Sequence, residues 1–198
     1  MKTKTNFKST LVKTTIIASL IIGTLSCSES AKVEDTKVVA EEHNDAKFDN
    51  TSKEKDAQFL VNAAEINLEE IQLSQLARQK SKTKIVIYLG KMMEEGHTTL
   101  MNELTPLAAK VIVTIPTTAT DNAKESLKKL DEKTGKEFDN AYCKLMVDGH
   151  TSAVSLFEKA STESADSNIK TWATATLPIL RKHLDEAINC QKECEKSK

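Results

Sequence analysis

Three histidines and one glutamate stand in stretches that are otherwise apolar: Glu70 near Ile66 and Leu73, His97 near Met93 and Met101, His150 near Met146 and Val154, and His183 near Ile179 and Ala187. Steps of three and four residues put each on one face with its apolar neighbours if the stretch is helical. Imidazole and carboxylate are ligands of Zn, Fe, Mn or Cu, and bundle interiors build metal sites from inward-facing Glu and Glu-x-x-His pairs. Glu94-Glu-Gly-His97 has that spacing, but Val147 takes the matching place before His150. A di-iron centre of two carboxylate–histidine pairs is therefore not expected; at most one metal is, held mainly by His. A second reading needs no ion. Neutral imidazoles can pair with a carboxylate such as Glu70 in a polar network, since an unpaired buried ring nitrogen would cost about 1–3 kcal/mol. That network is the preferred expectation and the metal site the alternative. Tyr142 is read as a packed aromatic whose hydroxyl finds a partner, and Met92, Met93, Met101 and Met146 as core filling.

These side chains need helices to carry them. Five Gly, three Pro and 4% aromatics, beside 39% apolar and 29% charged residues in a chain of 198, leave few turn-makers and few strand-formers. Phe59, Ala63, Ile66, Glu70, Leu73 and Ala77 draw one stripe over about 56–80, and Ser81-Lys82-Thr83 breaks it. Ile85, Leu89, Met93, His97, Leu100 and Leu104 draw a second, which closes near 106–110. A β-branched and Thr-rich stretch over 111–120 then crosses over irregularly to a small helix at about 122–132. Phe138, Tyr142, Met146, His150, Val154 and Phe157 mark a third long helix, about 136–161. Asp166 is the expected N-cap of a fourth, which Pro178 should kink. Counted from the two short turns, Glu70 and the three His fall within roughly 11 Å along the axis at 1.5 Å per residue. The expectation is an all-α antiparallel four-helix bundle over 56–194 with a short extra helix in the crossover.

Lys91-Met-Met-Glu-Glu-Gly-His-Thr-Thr99 echoes Lys144-Leu-Met-Val-Asp-Gly-His-Thr-Ser152, with five of nine positions identical. Together with Asp56-Ala-Gln-Phe-Leu60, Leu68-Glu-Glu-Ile-Gln-Leu73, Phe138-Asp-Asn-Ala-Tyr142 and Thr176-Leu-Pro-Ile-Leu-Arg-Lys-His183, the two Met-x-x-Gly-His motifs resemble the bacterial domain of unknown function 4142 family over about 56–190. The resemblance implies a ferritin-like bundle exported to the cell envelope, in a family often labelled outer membrane protein, with no agreed activity. It also implies an Asp before each paired His, where this chain has Gly96 and Gly149; an orienting role for that Asp would have to move to Glu95 and Asp148.

The N-terminus carries an address. Lys2, Lys4, Lys8 and Lys13 precede the apolar run from Ile16 to Leu25, which is about half the roughly 20 residues a spanning helix needs. Residues 1–26 are read as a signal peptide, and Thr24-Leu-Ser-Cys27 resembles a lipobox that makes Cys27 the lipid attachment site. Loss of the signal removes four Lys and no acidic residue, leaving a mildly acidic body that gives nucleic acid nothing to bind. Residues 27–55 are read as a flexible tether, with His43 solvated in it. Cys143, Cys190 and Cys194 remain, an odd number for an oxidising compartment; Cys143 with Cys190 and Cys190 with Cys194 are both candidate pairings. No phosphate-cradling loop, nucleophile elbow or zincin helix occurs. The expectation is a non-enzymatic, lipid-anchored binding or structural module at the membrane of the cell envelope, with a metalloprotein of one transition metal as the alternative.

Overall fold

The apolar stripes become helices, and no strand occurs among the described residues, which are 34–49 and 51–196 of a computed structural model. The expected signal peptide and Cys27 lie outside them. Six helices follow: α1 Thr36–Asp45, α2 Thr51–Lys80, α3 Lys84–Lys110, α4 Asp121–Asp131, α5 Gly135–Glu163 and α6 Ser167–Lys196. Among the described residues no helix is long and apolar enough to cross a membrane.

Local chemistry sets the ends. Asp166 Oδ1 accepts from the backbone N–H of Asn168 and Ile169, capping α6 as its position predicts. Thr120 caps α4 by accepting from Ala123 N–H, and Asp35 caps α1 by accepting from Lys37 N–H. At the end of α3, Val113 N–H donates to Ala108 and Ile112 N–H to Ala109, the pair of bonds of a Schellman turn. The crossover over 111–120 is irregular, as expected. Pro178 sits inside α6, which runs unbroken through it.

The tether expectation is corrected at 36–45 and 51–55, where α1 and the start of α2 stand. Helix α1 packs on α2 and is pinned to the crossover by Asn44, whose amide donates to the carbonyl of Thr114 and accepts from its N–H. Only Ala40 and Asn44 of α1 are buried, a face too narrow to register as an apolar stripe.

Three-residue turns fold α2 back on α3 and α5 back on α6, so each pair is a helical hairpin, and α3 then packs on α6 and α2 on α5. Two aspartates lock the hairpins together reciprocally. Asp56, at the start of α2, accepts from the N–H groups of Ala165 and Asp166 in the α5–α6 turn. Asp139, at the start of α5, accepts from the hydroxyls of Ser81 and Thr83 in the α2–α3 turn. The turns therefore lie at opposite ends of α2.

Two apolar clusters fill the interior. One gathers Leu60, Leu100, Leu104 and Leu180 around Phe59, Phe157 and Trp172, whose rings pack with centroids 5.0–6.0 Å apart. The other gathers Leu73, Leu89, Met93, Phe138, Tyr142 and Met146. Burying side chains of this size stabilises by about 1.5–3 kcal/mol each. Met93 and Met146 fill core, as expected. The residues between the two clusters along each long helix are polar and buried: Asn67 and Glu70 on α2, His97 on α3, His150 on α5 and His183 on α6.

Candidate metal centre

His97 and His150 lie 15 residues from their respective turns, near mid-helix, so opposite-ended hairpins still bring them to one level. Their Nε2 atoms are 3.2 Å apart, and His150 Nε2 is 3.3 Å from His183 Nδ1. One nitrogen from each of the three rings falls within 4.8 Å of the other two. Ring centroids 5.2–5.3 Å apart at steep interplanar angles point the rings inward rather than stacking them.

The outer nitrogens have assignable protons. Asn67 Nδ2 donates to the Ala63 carbonyl, 2.9 Å away, so its Oδ1 is the atom turned to His97 Nδ1 at 2.9 Å. An amide oxygen only accepts; His97 Nδ1 therefore carries the hydrogen. His150 Nδ1 is 2.9 Å from the carbonyl of Met146, which likewise only accepts, so His150 is also the Nδ1–H tautomer. With each ring's single proton placed on the outside, the facing Nε2 atoms of His97 and His150 are both lone pairs.

Protonating the rings is disfavoured. Burial, then the neighbouring His150 and His183 charges, hold His97 well below its ordinary 6.5. Burial lowers His150 to about 4 against the opposing bond to Met146, and burial with His150 and Lys182 lowers His183 to about 4. The three imidazoles are neutral at pH 7, the form that binds metals.

Both glycines of the repeated motif are explained by what they face. A Cβ on Gly96 would stand 2.5 Å from His183 Cε1 and 2.7 Å from Nε2, and a Cβ on Gly149 would stand 2.8 Å from Glu70 Oε1. Helix α3 yields its surface to the His183 ring, and α5 yields its own to the Glu70 carboxylate.

Of the four ligands expected from sequence, the three His converge and Glu70 does not join them. Its Oε1 lies 3.6 Å from His150 Nδ1, on the outer side of that ring. Glu70 Oε2 is buried without a hydrogen-bond partner, and burial, with Glu69 nearby, raises its pKa well above 4.5. Glu94, despite its Glu-x-x-His spacing, accepts from Arg78 and Gln75 outside the core. Glu95 and Asp148 do not orient the rings: they pair with Lys91 and Lys144 at the surface. Ile179, expected to share the inward face of His183, is 39% exposed. Asn67 was missed, although it stands on the inward stripe one turn before Glu70. Tyr142 has the hydroxyl partner expected of it, Ser74 Oγ at 3.1 Å. Cys143 and Cys190 are disulfide-bonded with Cα atoms 6.1 Å apart, and Cys194 Sγ lies 3.8 Å from Cys143 Sγ.

The family described as "Domain of unknown function (DUF4142)" matches residues 41–189 of the chain. No curated protein and no solved structure matches it.

Proposed function

The chain belongs to the DUF4142 family, and from that premise and the geometry of its interior we propose that it is a metal-binding protein of the cell envelope. In this reading α2, α3, α5 and α6 form a ferritin-like four-helix bundle. His97 Nε2, His150 Nε2 and His183 Nδ1 hold one transition-metal ion, and Cys27 anchors the protein by lipid to a membrane. The anchor rests on the basic and apolar run before Cys27.

One observation carries the metal reading: two imidazole lone pairs face each other at 3.2 Å while both outer nitrogens already donate. A closed polar network would place a hydrogen between them. His183 Nδ1–H can serve His150 Nε2, but His97 Nε2 is then left without a donor. A cation satisfies all three. Nitrogens bound to one tetrahedral ion at about 2.0–2.1 Å stand about 3.3 Å apart, close to the separations of 3.2 and 3.3 Å here. Imidazole-only donors suit Zn, Cu, Fe or Ni, and three protein ligands leave a position for an exchangeable group. Asn67 and the Met146 carbonyl are the outer partners that such rings require, and the Glu70 carboxylate stands behind His150 at 3.6 Å.

The test is the metal content of untagged full-length protein by elemental mass spectrometry, followed by titration of the stripped protein with Zn(II) and Co(II). One tightly bound equivalent, lost in His97→Ala and His150→Ala, is the expected result. Wild type that binds neither ion at micromolar concentration, and whose melting temperature chelator leaves unmoved, overturns the reading.

A further inference from the structure

A second group of potential ligands lies on the same α5–α6 interface. Cys143 precedes His150 by seven residues and Cys190 follows His183 by seven, so on antiparallel helices both pairs step the same way, about 10 Å along the axis. With Cys194, one turn beyond Cys190, they form a cluster in which all three sulfurs lie within 4.8 Å of one another and all three residues are buried.

The arrangement is a triangle rather than a relay. A thiol poised to attack Cys143 in line with the disulfide would lie about 6 Å from Cys190 Sγ, given a standard S–S bond. Cys194 Sγ instead sits beside the bond, 3.8 Å from Cys143 Sγ and within 4.8 Å of Cys190 Sγ. Sulfurs sharing one ion at about 2.3 Å stand about 4 Å apart. A cavity of about 430 Å³ lined by Lys80, Lys82, Gly135, Lys136, Asp139 and Cys194 opens onto the cluster and supplies a path from solvent.

We propose that, once the Cys143–Cys190 disulfide is reduced, Cys143, Cys190 and Cys194 form an all-sulfur site for a soft thiophilic cation, copper(I), which reoxidation closes. An external dithiol supplies the two electrons and two protons that convert the disulfide into two thiols, and itself becomes a disulfide. The arriving ion then displaces thiol protons to solvent through the cavity. Copper(I) is favoured over Zn(II) because a closed, cysteine-built Zn(II) site takes a fourth protein ligand. The carboxylate that lines the cavity, Asp139, has both oxygens engaged by Ser81 and Thr83. Three sulfurs alone suit the softer ion. Burial, then Asp139, raises the pKa of the Cys194 thiol against the opposing Lys136, so the ion itself must drive the proton off. The site is independent of the histidine centre and stands if that centre fails.

The test titrates full-length protein carrying His97→Ala and His150→Ala with copper(I), anaerobically, against a chromophoric copper(I) chelator. Chains reduced with a phosphine should bind one equivalent with a thiolate-to-copper charge-transfer band, and oxidised chains should not. Cys194→Ser, which retains the disulfide pair, should bind at least 100-fold more weakly when reduced. Thermal melts provide a second readout: copper(I) should raise the melting temperature of the reduced protein and leave reduced Cys194→Ser unmoved. Equal binding by oxidised and reduced chains, equal binding by Cys194→Ser, or no melting shift in the reduced protein each overturns the proposal.

Discussion

The amide oxygen of Asn67 stands 2.9 Å from Nδ1 of His97, and that contact decides which nitrogen of His97 is left for the interior. The Asn67 amide is itself fixed by its bond to Ala63 one turn earlier, so the order runs from a helix carbonyl to an imidazole lone pair. Asn67→Ala should leave the three rings in place but release the tautomer. Zn(II) affinity, measured by competition with a chromophoric chelator, should fall roughly 10–100-fold, as for other lost outer partners of metal-bound His. Unchanged affinity would remove Asn67 from the centre.

Gly96→Ala separates the site from the fold. The added methyl meets His183 at 2.5–2.7 Å and must displace the ring, while Ala in mid-helix is intrinsically better than Gly by about 1 kcal/mol. The variant should melt within a few degrees of wild type and bind Zn(II) roughly tenfold or more weakly. Equal binding would show that His183 is not held where α3 leaves room for it.

Acid should destabilise the metal-free protein earlier than its carboxylates alone would. The three His titrate near 6.5 when unfolded; folded, His150 and His183 titrate at about 4, and His97 lies well below 6.5. As pH falls from 6.5 toward 4, the unfolded chain takes up protons that the native chain refuses, so stability present above 6.5 is lost through that window. Glu70, raised in the fold, acts with the opposite sign: its contribution is present below about 4.5 and fades as pH rises. Three groups outweigh one. Urea midpoints should fall steadily from pH 6.5 to 4, and less steeply in His97→Gln; a flat profile contradicts buried neutral rings.

The reciprocal aspartate latches predict additive losses. Asp56→Ala strands the N–H groups of Ala165 and Asp166, and Asp139→Ala strands the hydroxyls of Ser81 and Thr83. Each should cost about 1–3 kcal/mol in urea unfolding. The two lie at opposite ends of α2, some 36 Å apart at 1.5 Å per residue, so the double variant should lose the sum.

Ile112 offers a gain. It is 69% exposed and has φ of 62° at the Schellman position that favours glycine. A β-branched residue is strained there, so Ile112→Gly should raise stability by about 1 kcal/mol, read as a higher urea midpoint.

Much of this molecule was legible from residue order. Spacing of Phe59 to Ala77, Ile85 to Leu104 and Phe138 to Phe157 located three of the four long helices, because a 3.6-residue period is a local property that any core must respect. Asp166 announced a helix start for the same local reason. The inward placement of His97, His150 and His183 followed from the stripes that carry them. Other features depended on what lies across the interior. Helix α1 has too small a buried face to leave a period. Asn67 and Glu70 occupy equivalent-looking places on α2, yet one meets His97 and the other sits behind His150, because rotation between packed helices sets which side chain reaches which ring nitrogen. The glycines before His97 and His150 stand in one repeated motif, yet one makes room for an imidazole of α6 and the other for a carboxylate of α2. Sequence spacing determines which face a residue joins, whereas ligand geometry is a matter of tenths of an ångström between chains of atoms distant in sequence, and only the packed helices decide it.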